Sequence, residues 1–279
     1  MILKQGTVIG GKYRLTRQLG QGAMGVVWAA TNLRVGREVA IKLILGSTDE
    51  LRVRFLREAR ACGALKHPNI VEMIDVAETD DGDPFMVMEL LTGETVDAPL
   101  KRQRRLDQAQ AARIARDVAQ ALTAAHGAGI VHRDLKPANI FLHEQTEADG
   151  STTTVVKVVD FGVSKNMAGE SDGAATVTGG IVGSPAYMSP EQARALRDID
   201  GRTDLWTVGV ILFQMLSGKR PFEGDTSVVL TRIITETAPL VSSLVRNIDP
   251  GMVQIVARCL ERDRDRRVQT AAQLVEMLS

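Results

Sequence analysis

The chain has 279 residues, 44% of them hydrophobic and 24% charged, and its 34 basic and 34 acidic side chains give a formal net charge of +0. That length has room for one large domain or two lobes, and the charge balance makes no global electrostatic case for nucleic acid or an anionic membrane. Cys62 and Cys259 read as buried free thiols of a reducing compartment, the 4 histidines make no metal cluster, the start of the chain lacks the apolar core of a signal peptide, and the apolar run 205–215 is too short to span about 30 Å of hydrocarbon.

In chain order, 13–19 and 26–31 read as strands joined by Gly20-Gln21-Gly22-Ala23-Met24-Gly25. A dinucleotide-binding fold would need a helix after such a loop, whereas Val26-Val27-Trp28 continues as strand. Glycines in a hairpin let backbone approach phosphates with no Cβ in the way. The strand 39–44 carries Lys42 in its middle. A charge there is costly unless paired, so Lys42 is either a snorkelling edge residue or a phosphate-binding cation held by a carboxylate. Helical periodicity over 50–65 puts Leu51, Phe55, Leu56, Ala59 and Cys62 on one side, with Glu58 among Arg54, Arg57 and Arg60. Strands follow over 70–76 and 85–90. Leu91-Thr92-Gly93 breaks the pattern and sets a lobe boundary, giving 1–91 and 92–279. The basic run 101–105 (KRQRR) is a solvated helix face or a partner-binding patch, and a long helix over 106–127 follows.

That helix leads into IVHRDLKPANI, residues 130–140, and Asp160 follows Asn139 by 21 positions. Ile130-Val131, 140–142 and 155–159 are short apolar runs that read as strands, which places Asp134, Lys136, Asn139 and Asp160 on two neighbouring turns. Two aspartates and an asparagine suit a hard divalent cation such as Mg²⁺, and the lysine suits a phosphate. Together they ask for a nucleoside triphosphate and a proton-accepting carboxylate. Residues 143–154, polar and acidic with a Ser-Thr-Thr-Thr cluster, read as a mobile hairpin tip. A long irregular stretch, 165–184, follows Asp160-Phe161-Gly162; such loops are usually functional. It ends in Gly183-Ser184-Pro185-Ala186-Tyr187-Met188-Ser189-Pro190-Glu191. Thr203-Asp204 reads as the cap of a helix that is apolar nearly all round and therefore central to its lobe. The remainder is helical, with breaks at 218–224, Pro239 and Pro250 and a highly charged stretch, 261–267.

The glycine loop, strand lysine, helix glutamate, His132-Arg133-Asp134-Leu135-Lys136-Pro137-Ala138-Asn139, Asp160-Phe161-Gly162 and Ser189-Pro190-Glu191, in that order, resemble the protein-kinase family from Tyr13 to Leu278. Lys136 two after Asp134 resembles the serine/threonine kinases, and GTVIGGKYRL with SPAYMSPEQA looks like their bacterial branch. The resemblance implies an α+β bilobal kinase domain over 1–279: a small β-rich lobe with one main helix, and a larger, mostly helical lobe. It implies ATP with Mg²⁺, or Mn²⁺ in its place. Around the nucleotide it sets Leu19, Gly20, Gly22, Gly25, Val27, Ala40, Met88 and Phe141, with adenine on the backbone of Glu89 and Leu91. Lys42 would contact the α/β-phosphates, held by Glu58, with Glu50 the alternative. Asn139 and Asp160 would hold the metal, Asp134 would take the acceptor proton, and Lys136 would neutralise the transferred group.

Further implied roles are structural. His132 and Phe161 would stack with Cys62 and Met73, Gly162 completes the metal-binding tripeptide, and Ser184 would touch Asp134 and Lys136. Glu191 would pair with Arg267, or with Arg266. Asp204 is a structural residue. Thr176 and Thr178 are expected as activation phosphosites, with Arg133 as their anion partner. The expected function is a serine/threonine protein kinase that phosphorylates itself on this loop; the competing readings are a kinase-like binding scaffold and a small-molecule phosphotransferase. Expected partners are protein substrates and a transient homodimer for autophosphorylation, with no nucleic acid and no membrane contact within this chain. The expected location is the cytoplasm, alone or as the cytoplasmic part of a longer membrane-anchored receptor kinase.

Overall fold

The computed structural model describes residues 3–279 except 23–24, 46–47, 49–51, 54, 57–58, 60–61 and 162–184. The chain divides into two compact units, Met1–Thr92 and Gly93–Ser279. The first is built on a six-stranded antiparallel sheet: β1 (Val8–Ile9), β2 (Tyr13–Gly22), β3 (Gly25–Asn32), β4 (Glu38–Leu43), β5 (Met73–Glu78) and β6 (Pro84–Glu89), in the order β1-β2-β3-β4-β6-β5. Alternation explains its core. Val39, Ile41 and Leu43 are buried with Tyr13, Leu15, Trp28, Phe85 and Val87, so Ala40 and Lys42 face the opposite side of the sheet. The described residues between 52 and 63 are helical, with Phe55 and Ala59 buried.

The second unit contains β7 (Gly93–Thr95), α1 (Asp97–Gln103), α2 (Gln108–Gly127), β8 (Ile140–Thr146), β9 (Thr152–Val158), α3 (Pro190–Ala193), α4 (Arg202–Ser217), α5 (Thr226–Thr235), α6 (Pro250–Cys259) and α7 (Ala271–Met277). Among the described residues the 3₁₀ turns Pro137–Asn139, Pro185–Tyr187 and Val241–Ser243 join them. α4 buries nearly its whole circumference, including Leu205, Trp206, Ile211, Leu212 and Phe213, and packs on α2, α6 and α7. Each large apolar side chain buried this way contributes about 1.5–3 kcal/mol. α2 begins where the Asp107 carboxylate accepts from Gln110 N at 2.9 Å. Asp225, Asp249 and Thr270 cap α5, α6 and α7 in the same way.

Several sequence expectations are corrected. Ile130-Val131 is not a strand: Ile130 N donates back to Ala125 O at 2.9 Å, closing the end of α2. Residues 143–154 are not mainly a loose tip, because β8 and β9 stay paired out to Thr146↔Thr152. β5 starts at Met73 and not at 70, and β7 with α1 occupies the region read as a break and a basic run. Asp204 lies inside the first turn of α4, whose N-cap is Gly201, so it does not cap that helix. Cys62 is half-buried, while Cys259 is fully buried and burial pushes its thiol up to about 12. Among the described residues no helix is long and apolar enough to cross a membrane.

Candidate active site

In the second unit the residues 132–139 form a loop held from several sides. His132 is fully buried; its Nε2 donates to Val159 O at 3.0 Å and its Nδ1 accepts from Asp134 N at 3.3 Å. Those two partners require the neutral Nε2–H tautomer, because a carbonyl only accepts and an amide only donates. Its ring stands 4.8 Å from that of Phe161. Asp204 is also buried and accepts three hydrogen bonds: His132 N at 2.9 Å, Arg133 N at 2.9 Å and the ring of His126 at 2.8 Å. One carboxylate of α4 thus takes up the backbone donors that the turn at 132–133 leaves without a regular partner. Gln192 Nε2 donates to Arg133 O at 2.8 Å. Backbone strain marks this turn and the end of the segment after β9: Arg133 sits at φ 63° and Asp160 at φ 60°, a backbone state that costs non-glycine residues energy and clusters at functional sites.

This frame brings the polar groups together. Lys136 Nζ donates to Asp134 Oδ2 at 2.8 Å. Asn139 is 6% exposed and its Nδ2 donates to Asp134 O at 2.9 Å, which fixes the amide and turns Oδ1 the other way. Val159 N donates to Asn139 O at 3.0 Å, which ties the residue before Asp160 to the backbone of Asn139. Asn139 and Asp160 offer uncharged and charged oxygens, the donor set that Mg²⁺ takes alongside phosphate and water. Phe141 lies in β8, opposite Thr95 and Lys157.

The segment after 184 is tied to the same loop. Ser189 caps α3 in a reciprocal capping box with Gln192 and shares a 2.5 Å hydrogen bond with Thr203. Glu191 and Arg267, both buried, form a two-point ion pair at 2.7 and 3.1 Å, with the guanidinium over the Trp206 ring. Arg266 is paired instead, at 3.8 Å, with Glu261. The sequence reading did not single out His126 or Gln192. A Ser-x-x-Gln capping box was legible at 189–192, but nothing near His126 foretells a partner on α4.

In the first unit the sheet register places Val27 opposite Lys42 and Ala40 opposite Met88, so these four side chains share one face. Gly20 pairs with Val27 and Gly22 with Gly25, which makes the glycine stretch the end of the β2–β3 ladder. A Cβ on Gly25, at φ +147°, would meet Leu43 O at 1.9 Å, so the fold itself requires that glycine. A Cβ on Gly20 or Gly22 would meet nothing within 4 Å. Leu19 is exposed, and Glu89 N donates to Glu72 O at 3.0 Å, with Leu91 two residues on. Glu50, Glu58, Gly162, Thr176, Thr178 and Ser184 lie outside the described residues.

The fold agrees with comparisons to known proteins. The family profile described as protein kinase domain matches residues 13–278. The chain belongs to the protein kinase domain family. It is 39% identical to the serine/threonine-protein kinase pkn3 of Myxococcus xanthus over 266 residues, covering 92% of this chain and 48% of that protein. It is 37% identical to the probable serine/threonine-protein kinase PknB of Bifidobacterium longum over 278 residues, covering 95% and 39%. The chain therefore spans about half or less of the length of these curated relatives. Among solved structures, a double mutant of the PknI kinase domain of Mycobacterium tuberculosis superposes with a TM-score of 0.77 at 24% identity, covering 100% of both chains. That similarity establishes the bilobal kinase fold, with its β-sheet lobe and helical lobe.

Proposed function

We propose that this chain transfers the γ-phosphoryl group of Mg·ATP to serine and threonine hydroxyls of proteins. The observation that carries the reading is the fixed Asp134 carboxylate. Lys136 occupies Oδ2, and among the described residues Oδ1 has no partner, so Oδ1 is the oxygen that takes the acceptor proton. The acceptor oxygen forms its bond to the γ-phosphorus as that proton passes to Asp134, and the bond to the β-phosphate oxygen breaks to release ADP. Lys136, beside Asp134, offsets charge on the transferred group. Asn139 and Asp160 are the residues that would hold Mg²⁺, or Mn²⁺, which when bound neutralises charge on the phosphates. Lys42, with Glu58, positions the α/β-phosphates. Gly20 and Gly22 support the nucleotide reading, because no group of the fold demands glycine there and a closely approaching phosphate would. Met88, Ala40, Val27 and Leu19 of the first unit line the base, and Glu89 and Leu91 meet it through their backbone. Most of the rate comes from positioning and electrostatics.

The names of the relatives and Lys136 favour serine and threonine acceptors in proteins, met in the cytoplasm where ATP is supplied. We further take Thr176 and Thr178 as sites phosphorylated by a second copy of the chain, with Arg133 as the partner of the added charge and Ser184 in the acceptor platform. Labelled ATP with Mg²⁺, followed by mapping of modified residues, tests the reading. Phosphate incorporation into Ser or Thr of a generic protein acceptor is the expected result. Nucleotide binding with no incorporation into any acceptor would leave a binding scaffold, and transfer to metabolites alone would leave a small-molecule phosphotransferase.

A further inference from the structure

The basic run 101–105 takes no part in this chemistry, and the structure sets its end beside a second pair of cations. Arg104 closes α1 at φ 66°, a conformation that glycine adopts without strain and arginine does not. Its backbone lies against Gly218: a Cβ built there, at φ +75°, would stand 2.9 Å from Arg104 O and 3.6 Å from Arg104 Cβ. Leu106 N donates to Met215 O at 2.7 Å, which fixes the two segments together. The segment of Arg104 and Arg105 is therefore held against the turn that leads into Lys219 and Arg220.

Not every cation of the run is available. Lys101 is paired with Asp97 at 2.5 Å, and Arg102 holds both oxygens of Glu94 at 2.7 and 2.8 Å. Arg104, Arg105 and Lys219 are exposed, and among the described residues no carboxylate pairs with them or with Arg220. In a chain of net charge +0, four cations with no carboxylate partner among the described residues, carried on two segments held together, make a local positive field.

That face adjoins the segment that flanks the catalytic loop. Tyr187 is partly buried; its hydroxyl donates to Gln214 Oε1 at 2.8 Å and its carbonyl accepts from Thr207 at 3.0 Å. Gln214 is also the acceptor for Gly218 N, at 2.8 Å, so Tyr187 is joined to the end of α4 that leads into Lys219 and Arg220. From Tyr187 the chain runs to Gln192, which holds Arg133 O.

We propose that Arg104, Arg105, Lys219 and Arg220 form a specificity face that binds acidic side chains flanking the acceptor residue of the protein substrate. This rests on the kinase reading. The test uses the whole chain and three peptides identical except for the residues flanking one threonine, which are Glu, Gln or Lys. Exposed pairs are individually weak, and several together are expected to lower KM for the Glu peptide about tenfold against the Gln peptide, with kcat unchanged. The triple variant Arg104→Glu, Arg105→Glu and Lys219→Glu is expected to turn over the Gln peptide as before and to prefer the Lys peptide. Equal KM values for the Glu and Gln peptides in the wild type, or the same preference kept by the variant, would overturn the proposal.

Fluorescence anisotropy of the Glu peptide without ATP separates this from the reading beneath it. Binding lost in the variant, with no transfer to any peptide by either chain, would remove the kinase reading and keep the acidic-peptide face. Capture by phosphatidylserine vesicles with no discrimination among peptides would assign the face to a membrane and overturn the proposal.

Discussion

Asp134, the proton acceptor proposed above, is held at its backbone and at its side chain alike. Its backbone N–H donates to His132 O at 2.8 Å, its carbonyl is bound by Asn139 and its carboxylate by Lys136. Asp134→Asn keeps that shape but cannot take a proton. Transfer is expected to fall about 10²–10⁴-fold while nucleotide affinity stays, as measured by single-turnover kinetics beside nucleotide titration; a mutant retaining most of its turnover would remove Asp134 from the reaction. Glu191 has a structural counterpart role. Burial works against its ionisation, yet the hydrogen bonds and charge of Arg267 hold its carboxyl below the ordinary value. A lowered pKa contributes stability that is complete above the unfolded value, about 4.3, and is lost as pH falls through the folded one. Glu191→Gln should lower stability at neutral pH by about 3–5 kcal/mol, because the buried Arg267 is left uncompensated. It should also flatten the loss of Tm in acid. A Glu191→Gln variant with an acid slope as steep as the wild type would place the titrating group elsewhere.

At the scale of elements, α4 organises the larger unit. It supplies the core through Trp206, Ile211 and Phe213, and it supplies Asp204 to the loop 132–139. Hydrogen bonds to a charged acceptor are worth about 1.5–3 kcal/mol each, so Asp204→Ala should both destabilise the unit and slow transfer. Hydrogen exchange at residues 132–134 reads the difference: protection there should fall further than in β9. Unchanged protection would mean the loop is held by other contacts. α4 also meets α6 at a point where no side chain fits. A Cβ on Gly209 would stand 2.6 Å from Cys259 Cβ, so Gly209→Ala is expected to cost about 1–3 kcal/mol by overpacking, measured as a lower denaturation midpoint. The hairpin β8–β9 shows a different economy. Thr152, Thr153 and Thr154 are exposed hydroxyls, but they are fixed in register with Thr146, Gln145 and Glu144.

For the whole molecule, the proposed function draws residues from both units: Lys42 lies in Met1–Thr92, and Asp134, Asn139 and Asp160 lie in Gly93–Ser279. The proposed activation sites make a further prediction. After pre-incubation with ATP, Thr176→Ala with Thr178→Ala should lose activity, and Thr152→Ala with Thr153→Ala and Thr154→Ala should not. Equal, near-wild-type rates in both would remove the switch.

The sequence by itself determined those features whose cause is local. Strand alternation in 39–43 set Lys42 on the face opposite the core. The short spacing of Asp134, Lys136 and Asn139 allowed them to meet within a single turn of chain. The apolar circumference of α4 announced a central helix before any neighbour was known. Tertiary structure decided what depends on partners far away in the chain. Ile130-Val131 has strand-like residues, but the end of α2 takes its backbone donor, so composition misled there. Asp204 has the residue type and place of a helix cap, and only the approach of 132–133 made it the acceptor for a different loop. His126 and Gln192 carry no local sign of the groups they hold. Arg104 comes next to the segment of Lys219 because α1 and α4 end against each other at Gly218. A hydrogen bond or a shared surface between distant segments is set by packing, and packing leaves its mark on both segments at once, never on either alone.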